Sequence, residues 1–120
     1  MITLNGLKNC DTCRKALKWL AANDIAHEFR DLRQEPPTTV EVERWLLELP
    51  VEKLVNRRST TWRQLDDASR EAVMKDDTAA VLCANPSLIK RPLFEAEGLC
   101  LVGFEPAVKP HLGKLGDESD

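Results

Sequence analysis

The chain has no apolar run long enough to span a membrane, and its N-terminus lacks the charged, apolar and small-residue zones of a secretion signal. A membrane protein and a secreted scaffold are therefore not expected, and the cytoplasm is the expected compartment. In that compartment four cysteines are more often reduced, catalytic or buried than part of a disulfide framework. There is no basic excess either. Seventeen Lys and Arg against twenty Asp and Glu leave a net charge of −3, whereas general nucleic-acid binding needs cations to neutralise phosphates. Direct nucleic-acid contact is thus not expected, while a protein partner or a small anionic substrate remains open. Histidine is scarce, and His27 and His111 stand far apart at no ligand spacing to any cysteine pair. No zinc site, other metal or bound cofactor is expected. Internal repeats and low-complexity tracts are also missing.

What is present is an ordinary globular composition, 42% apolar and 31% charged over 120 residues, enough for one domain with a real core. Its most informative stretch is Cys10-Asp11-Thr12-Cys13. A short apolar strand, residues 2–4, and a turn signal at Asn5-Gly6 precede it, and a helical pattern follows directly. A lone C-x-x-C at a strand-to-helix junction is a redox signature. Unpaired N–H groups and the helix dipole favour a thiolate there, which makes Cys10 the candidate nucleophile. Cys13 lies one turn further along the same face and is the candidate resolving thiol. It also begins the apolar stripe Cys13, Ala16, Leu17, Leu20, so a small buried hydrophobe fits it as well. Cys83 and Cys100 stand among apolar neighbours and read as core.

The rest of the chain follows in order. The helix after Cys10 is expected to end near residues 22–24, and alternation over residues 25–32 reads as a second strand, with His27 a strand residue. Pro36-Pro37 breaks the pattern. Thr38 and Glu41 have capping-box spacing ahead of the stripe Val42, Trp45, Leu46, Leu49. A short helix is expected at 51–55, a polar and basic loop at 56–62, and helices at 67–74 and 78–84. Strands at 93–96 and 99–102 form a hairpin turning at Glu97-Gly98. A last short helix is expected from Glu105-Pro106, and residues 113–120 are expected to fray. Trp19, Trp45 and Trp62 fall at or beside apolar helix positions and read as packing. The order β-α-β, helical insert, β-β-α is that of an α/β thioredoxin-like fold, with an all-helical insert, about 38–84, after the second strand.

Several separated motifs resemble the ArsC-like family of thioredoxin-fold proteins, within it the Spx/YffB branch. They are residues 3–12 (Thr-Leu-Asn-Gly-Leu-Lys-Asn-Cys-Asp-Thr), 13–16 (Cys-Arg-Lys-Ala), 56–65 (Asn-Arg-Arg-Ser-Thr-Thr-Trp-Arg-Gln-Leu), 89–93 (Ile-Lys-Arg-Pro-Leu) and 101–104 (Leu-Val-Gly-Phe). The resemblance spans about residues 1–112. It implies that Cys10 is the nucleophile, that Arg91 stands near its thiol, and that Pro92 is the cis-proline beside the site. It also implies that Arg58, or else Arg57, is an arginine carried by the insert, with Thr12, Arg58 and Arg91 serving substrate binding.

The activity implied is a thiol–disulfide or ArsC-like reductase, with glutathione as co-substrate and a small thiol or oxyanion as substrate. The alternative is an Spx-like redox-switched regulator that binds the RNA polymerase alpha subunit. Arsenate reduction is a third reading. Two departures weigh on these alternatives. Val102-Gly103-Phe104 stands where the arsenate reductases carry a third arginine. No glycine occurs between Gly6 and Gly98, although the Spx regulators carry one in the insert.

Overall fold

The computed structural model describes residues 1–97 and 99–118. The chain divides into two compact units, one made of Met1–Leu32 with the segment from Arg91 onward, the other of Arg33–Lys90. The first holds a four-stranded sheet in the order β2-β1-β3-β4. Its strands are β1 (Ile2–Gly6), β2 (His27–Asp31), β3 (Leu93–Ala96) and β4 (Leu99–Val102). β1 runs parallel to β2 and antiparallel to β3, and β3 is antiparallel to β4. Lying between two strands, β1 is buried almost throughout, whereas the edge strand β2 is only partly covered. This accounts for the apolar run in β1 and the polar alternation in β2.

Helix α1 (Asp11–Ala22) lies between β1 and β2 in sequence, and its Cys13, Ala16 and Leu20 are buried. They share one core with Ile2, Leu4, Phe94, Ala96 and Leu112. Leu112 comes from the last helix, α7 (Lys109–Glu118). That helix departs from the expectation in two ways. It begins at Lys109, and Pro110 rather than Pro106 occupies its first turn, where no intrahelical N–H bond is lost. Residues 113–118 are helical instead of frayed, because the fully buried Leu112 anchors the preceding turn. Ser119 and Asp120 lie outside the described residues, as does Gly98 of the hairpin turn. Its neighbour Glu97 has a φ of 50°.

The second unit carries α2 (Thr39–Glu48), α3 (Val51–Leu54), α4 (Thr60–Gln64), α5 (Asp67–Met74) and α6 (Thr78–Ala84), then a 3-10 turn at Pro86–Leu88. The capping box forms as read. Thr38 N–H donates to Glu41 Oε1 and Glu41 N–H to Thr38 Oγ1, both at 3.1 Å. The expected loop at 56–62 is shorter than its polarity suggested. Ser59 accepts a 3.1 Å bond from Trp62 N–H and so starts α4 within it. Within this unit the segment after α3 pairs with the segment after the 3-10 turn. Asn56 N–H donates to Leu88 O at 2.7 Å and Lys90 N–H to Leu54 O at 2.8 Å, around a Val55–Ile89 bridge. Among the described residues, no helix is long and apolar enough to cross a membrane.

Candidate active site

The chain leaves β1, turns through a bond from Cys10 N–H to Leu7 O at 3.2 Å, and enters α1 with Cys10 as its N-cap. Arg14 holds this turn against the helix, since its Nε donates to Lys8 O at 3.0 Å. Cys10 is partly exposed, while Cys13 is wholly buried. Both are free thiols, as are Cys83 and Cys100. Thr12 is exposed on the first turn of α1.

The two thiols of the pair sit in opposite electrostatic settings. Partial burial opposes ionisation of Cys10, but the backbone N–H and thiol of Cys13, then the guanidinium of Arg91, outweigh it. The Cys10 thiol is therefore held below its ordinary range. Its side chain makes no cap hydrogen bond of full geometry with the helix N-terminus. Cys13 goes the other way. Burial pushes its thiol up to about 12; the Leu7 backbone opposes this, the neighbouring Cys10 adds to the rise, and Arg91 opposes it least. At neutral pH the pair is thus one accessible thiol inclined to ionise and one buried thiol that stays protonated and can donate to it.

The segment bearing Arg91 is fixed from both sides. The Arg91–Pro92 peptide is cis, and Pro92 is buried. Pro92 O accepts from Gly103 N–H at 2.9 Å. Next to it, Leu93 O accepts from Asn5 Nδ2 at 3.2 Å. Cys10, Cys13, Arg91 and Pro92 all belong to the sheet-bearing unit. Arg57 and Arg58 belong to the helical unit, exposed on the turn before the Ser59 cap, where Arg58 N–H donates to Asn56 Oδ1 at 3.1 Å.

Cys100 is buried as expected, but Cys83 is only partly covered. It lies near the end of the short helix α6, and Glu41 and Glu43 add their charge to the burial that raises its thiol. Trp45 is fully buried, Trp19 packs edge-on against Phe104 at 5.9 Å, and Trp62 carries Arg70 over its ring at 5.8 Å. His27 is a strand residue whose Nδ1 lies 2.7 Å from Ile25 O.

Two residues of this region escape the sequence reading. Asn5 and Gly6 were expected to turn the chain; instead both are strand, paired with Arg30 and Asp31 of β2. Asn5 is fully buried and bonded to Leu93 O, and no sequence signal marks that role. Gly6 does carry one, because a glycine inside a strand often marks a close approach of another group.

A site of this kind, a helix-capping thiol paired with a buried one and faced by an arginine on a cis-proline segment, belongs to the thioredoxin-like proteins. The ArsC family model matches residues 6–109, and the chain belongs to that family. It is 43% identical over 104 residues to an uncharacterized protein of Haemophilus influenzae, covering 87% of this chain and 91% of the other. It is 30% identical over 106 residues to the global transcriptional regulator Spx of Staphylococcus saprophyticus, covering 87% and 80%. Among solved structures, a YffB protein superposes with a TM-score of 0.85 at 34% identity, covering 93% of this chain and 98% of that one.

Proposed function

We propose that this chain is a cytoplasmic thiol–disulfide oxidoreductase of the ArsC/YffB type. One observation carries the reading: Cys10 is accessible and favoured as thiolate, while Cys13 one turn away is buried and protonated. The Cys10 thiolate attacks one sulfur of a substrate disulfide, and the other sulfur leaves as a thiolate that takes up a proton. The mixed disulfide on Cys10 is then opened by a second thiol, either Cys13 or an external one such as glutathione. If Cys13 attacks, the protein is left with a Cys10–Cys13 disulfide that two external thiols reduce. If the external thiol attacks the Cys10 sulfur instead, the second substrate half leaves as a thiol, and a second external thiol then displaces Cys10 and leaves joined to the first. Either way one substrate disulfide is reduced and two external thiols are oxidised. Arg91 favours the thiolate; Arg58 and Thr12 are assigned to an anionic part of the substrate on the family resemblance. The test is a pair of variants assayed on a small disulfide with glutathione. Cys10→Ser is expected to abolish turnover, and Cys13→Ser to slow it without abolishing it. Full activity in Cys10→Ser would end this reading.

A second reading is favoured by the likeness to Spx. In it, a Cys10–Cys13 disulfide changes a surface that grips the RNA polymerase alpha subunit, without turnover. Pull-down from oxidised and reduced lysates separates the two. A stoichiometric polymerase complex that depends on redox state supports the switch, and turnover without such a complex supports the enzyme. Arsenate reduction ranks third, because Val102-Gly103-Phe104 stands in place of an arginine of the oxyanion clamp. A coupled arsenate assay decides it.

A further inference from the structure

Gly6 ends β1 in register with Asp31. Its φ is not in the left-handed region, so backbone conformation does not call for glycine here. Space does. A Cβ built on Gly6 would lie 2.5 Å from Cys13 Sγ, 3.3 Å from Leu4 Cδ2 and 3.4 Å from Cys13 Cβ. The last two are tight to ordinary contacts, but the first is an overlap that no rotation of the new methyl relieves. The Cys13 sulfur occupies the place where any other residue at position 6 would put its first side-chain carbon. In a close-packed interior a Cβ here and the sulfur in its present place cannot both be accommodated.

We propose that Gly6 is the positioning residue of the thiol pair: by having no side chain it seats Cys13 Sγ against the β1 backbone, buried, and leaves Cys10 as the thiol open to substrate. This deepens the oxidoreductase reading and rests on it for its meaning, but its test requires no turnover. The seat also explains why Cys13 is a member of the core together with Ile2, Leu4 and Ala16, although it stands only three residues from a partly exposed thiol. α1 can lie this close to β1 at its N-terminal turn because Gly6 yields the room. In Gly6→Ala the sulfur must leave its seat. Cys13 then gains access to water, and Cys10 loses the neighbour that donates to it.

The experiment is iodoacetamide modification of the full reduced chain, with each cysteine followed separately by peptide mass spectrometry. In Gly6→Ala, Cys13 should be modified about tenfold faster at neutral pH, the change in thiolate fraction that one unit of pKa produces. Cys10 should be modified more slowly at the same pH. Thermal unfolding supplies the second arm. The stability lost in Gly6→Ala should be largely recovered in Gly6→Ala/Cys13→Ala, relative to Cys13→Ala alone, since the clashing sulfur is gone. Wild-type modification of both thiols in Gly6→Ala would overturn the proposal. So would an equal loss of stability, or of folding altogether, with and without the Cys13 sulfur. These results are distinct from failure of the functional reading, which an active Cys10→Ser would bring about with the modification pattern unaffected.

Discussion

Arg91 reaches the Cys10 sulfur both as a hydrogen-bond donor and as a charge, and the hydrogen bond weighs more than the charge. Replacing it therefore tests how the site favours a thiolate. An opposite charge within about 4–6 Å is worth about ten- to a thousandfold in an ionisation equilibrium. Cys10 is partly exposed, and solvent screens such an interaction, which brings the expectation to the low end, about tenfold. Arg91→Ala should thus slow iodoacetamide modification of Cys10 by about tenfold at neutral pH. Arg91→Gln keeps a donor without the charge, and Arg91→Lys keeps the charge without the planar fork. Each should recover part of the rate, with Gln recovering more if the donor dominates. The pH profile is the stringent part. Well above the ordinary thiol value of 9.0, Cys10 is ionised with or without Arg91, so all four proteins should converge on one rate. An Arg91→Ala variant that reacts like the wild type at neutral pH would refute the reasoning. A deficit that persists undiminished at high pH would refute it too, since that would mean altered access rather than altered ionisation.

Two other consequences concern stability. Cys13 has a folded value, about 12, above its ordinary 9.0. Between those limits the native state holds a proton that the unfolded state has lost, so the contribution of Cys13 is full below pH 9.0 and declines as pH rises toward 12. Urea midpoints across that window should fall more steeply in the wild type than in Cys13→Ser, and parallel curves would contradict the burial of an uncharged thiol. Leu112→Ala removes a fully buried side chain from the core of the sheet-bearing unit and should cost about 2–5 kcal/mol. A change in urea unfolding within about 0.5 kcal/mol, the level of a surface substitution, would mean that α7 is not docked as described.

Much of this was legible because local chemistry and tertiary context agreed. The Thr38–Glu41 box, the proline breaks and the apolar stripe of α1 each act within a turn or two of chain, and each forms where expected. The failures lie where a distant partner decides. Asn5-Gly6 is a favourable turn pair by composition. It is drawn into the sheet because β2 pairs with it on one side, and because Leu93 O, 88 residues along the chain, takes up the buried Asn5 amide. Residues 113–118 contain two glycines and several charges and look like a fraying end. Leu112, meeting Ile2 and Phe94 in one core, makes the segment a helix. At the site, the place of Cys10 at a helix start was legible. The contrast between the two thiols was not, since the room for Cys13 depends on how closely α1 approaches β1.

That contrast bears on which thiol resolves the mixed disulfide. With its thiol pushed up to about 12, Cys13 stays protonated at neutral pH, and the thiolate is the attacking species. A free external thiol, with a pKa of about 8.5, holds a far larger ionised fraction and needs no excursion from a packed core. Two of the causes that raise Cys13 are its interactions with Cys10, and both weaken once the Cys10 sulfur is capped in a mixed disulfide. The largest cause, burial, does not. Capping Cys10 therefore brings Cys13 closer to reactivity while burial still opposes it, which under the proposed function weighs toward an external thiol as the resolving nucleophile. Under the proposed function, closure to a Cys10–Cys13 disulfide is therefore expected only when external thiol is depleted, and mass spectrometry of the chain incubated with substrate, with and without added thiol, checks it.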